Sequence, residues 1–192
     1  MSRPLIFRWS EVASLIEALA EEDAALSARV KEIAAWIQRR FVDRSNAART
    51  RCPSLAGAIA QDDVWLLFDL GNFDSRAIGD VSSLWSSSFK GVEETSGGST
   101  VAAALIIIFL QPENRARIQI LKDELKRDFV SQGFLIGTFN PEERNEPYDS
   151  ELDEPPKSPE SVIAIRRLLP VDARFLTHSD EFLELHRRQF DI

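Results

Sequence analysis

The sequence predicts an α/β or α+β fold, in which a single sheet of about four strands is covered by helices, with two N-terminal helices and one C-terminal helix. Three observations carry this expectation. Four short apolar runs, at residues 64–70, 101–110, 134–139 and 161–168, have the length and the β-branched content of strands. Between and around them, apolar residues recur every three or four positions, the spacing of a helix face. The 192 residues are 44% hydrophobic and 28% charged, the balance of a globular chain with one core, so residues 1–192 are expected to form one domain.

Each element has a local reason. Ser10 stands as an N-cap before Val12, Leu15, Ile16 and Leu19, which share one helix face. Asp23 caps a second helix whose stripe is Leu26, Val30, Ile33 and Ile37, widened by Trp36 and Phe41. Residues 43–53, DRSNAARTRCP, are aperiodic, close on a proline and form a locally basic loop with Arg44, Arg49 and Arg51. The run VWLLFDL at 64–70, ended by Gly71-Asn72, fits a buried strand. Ile78, Val81, Leu84, Trp85 and Phe89 return to helical spacing, and EETSGGST at 93–100 is a loop.

The run 101–110 is the expected central strand, because ten residues with Ile106, Ile107 and Ile108 in sequence are short and stiff at χ1. Pro112 suits the first turn of a helix carrying Ile118, Leu121, Leu125 and Phe129, and Gly133 stops it. FLIGTF at 134–139 is a third strand, broken by Asn140-Pro141, and residues 161–168 form a fourth. Thr177 or Ser179 caps the last helix, with Phe182, Leu183, Leu185 and Phe190 on its apolar face.

Charge is unevenly placed. The net charge is −8, and the twenty residues 141–160 hold eight carboxylates against Arg144 and Lys157, a net charge of −6. With five prolines among them, they are expected to form an acidic loop or flap, suited to a basic protein partner. The rest of the chain is nearly neutral. Nucleic-acid binding has only the three arginines of the 43–53 loop behind it, and no motif. The opening residues lack the apolar core of an export signal, and the longest apolar run falls short of the roughly 20 residues a membrane helix needs. One cysteine, Cys52, excludes an intramolecular disulfide. A cytoplasmic protein with no membrane contact is the expectation.

Few residue sets could carry chemistry. His178 and His186 on one helix would lie about 12 Å apart along its axis, too far to share a metal, and are expected to be surface residues. Gly97-Gly98-Ser99-Thr100 precedes a strand, the wrong order for a phosphate cradle, and no nucleophile elbow occurs among the serines. Cys52-Pro53 follows the basic loop, whose cations would favour thiolate, although a small, buried apolar cysteine before a turn proline is the commoner case and the leading expectation. Arg166 and Arg167 on one strand point to opposite faces. An inward Arg166 needs either a carboxylate, for which Asp172 is near in sequence, or an anionic ligand.

The C-terminal half resembles an uncharacterised bacterial domain family found near genes of specialised metabolism. The resemblance rests on Gly133, Gly137, Phe139, Asn140 and Pro141, on Ser158-Pro159, and on Ala164-Ile165-Arg166, Pro170, Asp172 and Phe175-Leu176. Cys52-Pro53 matches its N-terminal half. Through the Cys-Pro segment and the late arginine-bearing strand, the chain is also similar to the YqcI/YcgG family, some of whose members are haem-dependent N-oxygenases. Asn140 and Arg167 stand where the first family carries histidines. The resemblance implies a small-molecule enzyme or ligand-binding protein, with haem as a possible cofactor and a site drawn from Cys52, Asn140, Arg166 and Asp172. The alternative is a non-enzymatic protein of immunity or accessory type, which meets a basic partner through the acidic loop.

Overall fold

Six consecutive apolar residues, Ala104–Phe109, have no polar side to turn to water, and they form the middle strand of a sheet covered on both faces. The computed structural model describes residues 5–42, 53–69, 104–110, 115–141 and 157–191. Its strands are β1 (Leu5–Arg8), β2 (Val64–Asp69), β3 (Ala104–Phe109), β4 (Phe134–Phe139) and β5 (Ser161–Arg167). They lie in the order β1-β2-β3-β5-β4, with β2 and β3 parallel and the other pairs antiparallel. The mixed α/β class is as expected, with one strand more. Four residues are too few for a periodic signal in sequence, and β1 exists because its residues pair with β2 from Leu5 opposite Phe68 to Arg8 opposite Trp65.

Among the described residues there are five α-helices: α1 (Val12–Glu22), α2 (Ala24–Ile37), α3 (Pro53–Ala60), α4 (Arg115–Ser131) and α5 (Asp180–Phe190). Val12, Val30, Ile33 and Leu55 of the first three pack on one face, against Leu66, Phe68, Ile106, Ile108 and Val162. Ile118, Leu121 and Phe129 of α4 pack on the other, against Leu67, Ile107, Phe109, Ile136 and Ile163. Alternation along β2, β3 and β5 thus divides the core between the two faces. Phe182, Leu183, Leu185 and Phe190 of α5 close a smaller cluster with Val130, Leu168 and Leu176.

The caps partly follow expectation. Asp23 accepts from the Leu26 amide and starts α2, and Ser179 accepts from the Phe182 amide and starts α5. Gly133 turns the chain from α4 into β4 at φ +84, a value glycine adopts without strain. Ser10, however, does not cap α1. It lies in a 3-10 turn, Trp9–Glu11, where its amide and hydroxyl both donate to the Asp62 carboxylate at 2.9 and 2.8 Å. A charged acceptor fixed in the turn after α3 outcompetes the local cap. Helix α3 itself gives little amphipathic signal, because PSLAGAIA is small and apolar almost all round. The helix expected around residues 78–89, the loops at 43–52 and 93–100, and residues 142–156 of the acidic segment lie outside the described residues.

Register brings several chain ends together. Asp69 is opposite Phe109, Phe109 opposite Ser161, and Phe139 opposite Val162. One end of the sheet therefore collects the carboxyl ends of β2, β3 and β4 and the start of β5.

Candidate functional site

At that end three aromatic rings meet. Helix α2 passes at Ile37 into a π-helical turn, Gln38–Val42, whose wider winding offsets Phe41 from the stripe above it. Trp36, Phe41 and Phe139 then pack edge to face, with centroids 5.4, 5.5 and 5.8 Å apart. Such pairs contribute about 0.5–1.5 kcal/mol each beyond their buried area. Trp36 is 5% exposed, and its indole N–H, which can only donate, has no acceptor among the described residues.

Two serines before and at the start of β5 share that condition. Ser158 and Ser161 are each 2% exposed, and neither hydroxyl has a hydrogen-bond partner among the described residues. Ser161 lies opposite Phe109, whose ring belongs to the α4-side cluster, so Ser161 points to the α4 side of the sheet. The register that sets Phe139 opposite Val162 sets the buried Asn140 opposite Ser161, on the same side. Arg29 of α2 ties the rim together: its Nε donates to Glu160 at 2.6 Å, and a terminal nitrogen donates to the Leu110 carbonyl at 2.7 Å.

Arg166 and Asp172 lie elsewhere. Arg166 is opposite Ala104 and Leu135, at the other end of the strands from Asn140 and Ser161. Five residues of extended chain from Ser161 to Arg166 span about 17 Å. Asn140 and the Arg166–Asp172 pair therefore do not converge on one site, contrary to expectation. Separation by five positions in a strand is invisible until the register of β4 on β5 is known. Cys52 lies outside the described residues; its neighbour Pro53 opens α3.

The Arg166–Asp172 pair is the internal ion pair that the sequence allowed. Two guanidinium nitrogens donate to the two Asp172 oxygens at 2.7 Å each, and Asp172 is 1% exposed. Asp172 also accepts from the Leu169 amide, while the Leu169 carbonyl is 3.0 Å from His186 Nε2. A carbonyl only accepts, so that nitrogen carries the proton. His186 is thus not the surface residue expected but is 1% exposed, with its ring 4.9 Å from Phe190. Every group in this corner has a protein partner, and the corner joins β5 to α5.

His178 is exposed as expected, and its Nε2 sits 2.8 Å from Lys126 Nζ. Among the described residues no three His, Cys, Asp or Glu side chains gather as metal ligands. No helix among them is long and apolar enough to cross a membrane. The shifted carboxyls are also away from the aromatic end. Asp62 is held below its ordinary value of 3.8, first by the Ser10 hydroxyl and then by the Ser10 amide. Burial pushes Asp63 above the same value, against the pull of Arg8. Both precede Val64, which pairs with Ala104 at the Arg166 end.

Trp36, Ser158 and Ser161 escaped the sequence as site residues. Trp36 was indistinguishable from core at helical spacing, and only a serine opening the otherwise apolar SVIAI could have drawn attention. A family model described as a domain of unknown function matches residues 30–192, from within α2 to the last residue. No curated protein and no solved structure matches the chain.

Proposed function

The chain belongs to the DUF6875 family, and on that premise we propose that it is a small-molecule enzyme or ligand-binding protein whose site is the end of the sheet lined by Trp36, Phe139, Asn140, Ser158 and Ser161. The observation that carries this is the presence there of three buried donors, Trp36 Nε1 and the Ser158 and Ser161 hydroxyls, without partners among the described residues. Each unmade hydrogen bond costs about 1–3 kcal/mol, which packing alone would remove by placing Phe and Ala at these positions. An acceptor oxygen of a bound ligand satisfies such a donor; Trp36 stands on the α2 side of the sheet and Ser161 on the α4 side, so a single ligand reaches both only around the strand ends. The location agrees, because open sheets with parallel strands bind ligands beyond the strands' carboxyl ends.

The donors also narrow the ligand. An indole N–H and two hydroxyls recognise carbonyl, carboxylate or phosphate oxygens, and the rings of Trp36, Phe41 and Phe139 favour a flat or apolar body beside them. The haem N-oxygenase version implied by the YqcI/YcgG resemblance needs an axial ligand. His178 and His186 both engage Nε2 within the fold, so neither fits that part.

The test is a thermal-shift screen of the full chain against small carbonyl and carboxylate compounds, repeated on Trp36→Phe and Ser161→Ala. Compounds that raise the melting temperature of the wild type, and lose that effect in both variants, are the expected outcome. Ligands that stabilise all three proteins equally would place the site elsewhere and overturn the proposal.

A further inference from the structure

The two sides of the sheet are not equally covered at β5 and β4. On the α4 side, Phe134, Ile136, Ile163 and Ile165 are all buried. On the α2 side, one row of residues crosses the strands from Ile106 to Ala164 to Gly137. Ile106 is buried beneath the first three helices, whereas Ala164 and Gly137 are half-exposed. The open strip runs along β4 between Leu135 and Phe139, whose Cα atoms are about 13 Å apart. At its Phe139 end stands Trp36, with the two ring centroids 5.5 Å apart.

Nothing within the described fold requires a glycine at 137. Inside a strand glycine loses the most backbone entropy and packs no side chain, and it marks a bulge, a bend or the close approach of another group. β4 pairs with β5 without interruption, from Phe134 opposite Arg167 to Phe139 opposite Val162, so there is no bulge. The backbone of Gly137 is not in the left-handed region that Gly133 occupies. Among the described residues no atom comes within 4 Å of the place its Cβ would take, so no internal contact excludes a side chain. The close approach of a molecule from outside the chain is the reason left. Trp36 supplies an independent sign of a ligand at the end of the strip: an indole N–H on a residue 5% exposed, with no acceptor among the described residues.

We propose that Gly137 determines the shape of the ligand: a flat, ring-bearing molecule lies face down on β4 and β5 at Gly137 and Ala164, with an acceptor oxygen directed to Trp36 Nε1. This rests on the small-molecule site proposed above and specifies the class of its ligand. With glycine and alanine as cross-strand neighbours, the two strands offer a nearly level floor, on which a planar ring keeps van der Waals contact over its whole face. The Leu135 and Phe139 side chains bound that floor lengthwise. A larger side chain at 137 would lift the ring and draw its oxygen away from the indole.

Isotope-labelled full-length protein titrated with 2-naphthamide, and with 1-adamantanecarboxamide, which carries the same amide on a globular body, tests this by NMR. 2-Naphthamide should shift the Gly137 and Ala164 amides together with the Trp36 indole N–H, and should bind about tenfold or more tightly than the globular compound. In Gly137→Val its affinity should fall by a similar factor while the urea midpoint stays at or above the wild-type value, because the new side chain enters open space. Ala164→Val, which raises the floor from the adjoining strand, should weaken binding as well. If 2-naphthamide moves the indole signal but binds the wild type and both variants equally, or if the globular amide binds as tightly, the strip assignment is overturned while the small-molecule site stands. A lowered midpoint in Gly137→Val would show that the space is filled in the free fold, and a wild-type dimer that Gly137→Val turns into a monomer would show that a second copy covers it; either overturns the proposal. If neither compound moves any of these signals, the flat-ligand assignment falls, and the thermal-shift screen with Trp36→Phe and Ser161→Ala decides separately whether the site stands.

Discussion

Replacing Ser161 by alanine should stabilise the ligand-free protein. The side chain is 2% exposed and its hydroxyl has no partner among the described residues, so folding strips it of water without return. Removing it recovers about 1–3 kcal/mol of desolvation cost. Against this stands the small void left by one oxygen, on the order of 10 Å³, which costs about 0.2 kcal/mol at the usual rate for cavities. A net gain of about 1 kcal/mol or more is expected. In urea denaturation followed by fluorescence, with a slope of about 2–3 kcal/mol/M, the midpoint should rise by roughly 0.3–0.5 M. The melting temperature should rise by about 2–4 °C. Ser10→Ala is the control, since its hydroxyl is engaged by Asp62 at 2.8 Å and its loss should destabilise. A Ser161→Ala protein less stable than wild type by about 1 kcal/mol would show that the hydroxyl is satisfied in the free fold, and would refute its assignment to a ligand.

Four further outcomes follow from the buried ion pair, the two glycines and the two shifted carboxyls. Asp172→Ala takes two charge-assisted hydrogen bonds from the partly buried Arg166 and one from the Leu169 amide, and should cost about 2–4 kcal/mol, read as a fall in the urea midpoint; Arg166→Met with Asp172→Asn should recover part of it, because the new amide oxygen still accepts from the Leu169 N–H. Gly133→Ala should cost about 1–2 kcal/mol, since φ is +84 and its Cβ would meet Gln189 at 3.1 Å, whereas Gly137→Ala enters space with nothing within 4 Å and should be neutral or slightly stabilising in the same assay. Asp63 has a folded-state pKa raised by burial, so the folded state binds more protons just above pH 3.8 and stability is lost as pH rises through the raised value. Asp63→Asn should therefore be more stable than wild type at pH 7 and equal to it at pH 3. Asp62, lowered by Ser10, has the opposite sign: its contribution is present above pH 3.8 and is lost as pH falls through the folded value, so Asp62→Asn should be destabilising at pH 7 and neutral at very low pH.

Features that depend on a few neighbouring residues were legible in the chain itself. The apolar run of β3 can only be buried on both faces, Asp23 can reach the start of α2, and Gly133 can take the positive φ between α4 and β4. Arg166 and Asp172, six positions apart around a tight turn, were recognisable as partners on the same grounds. In each case the cause lies within one turn or one strand, so spacing suffices.

What needed the tertiary structure is everything set by pairing between distant segments. β1 is a strand only because β2 offers it an edge, Ser10 serves Asp62 fifty-two positions away instead of its own helix, and His186 is buried because α5 folds back over Leu169. The candidate site is of this kind. The register of β4 on β5 sends Arg166 to one end and brings Asn140 and Ser161 to the other, the end at which Phe139 meets Trp36. A one-residue slip in a strand exchanges its faces, and a strand's length separates its ends by many ångströms. Composition and periodicity therefore determine which elements form, while the alignment of one element on another decides which side chains share a site.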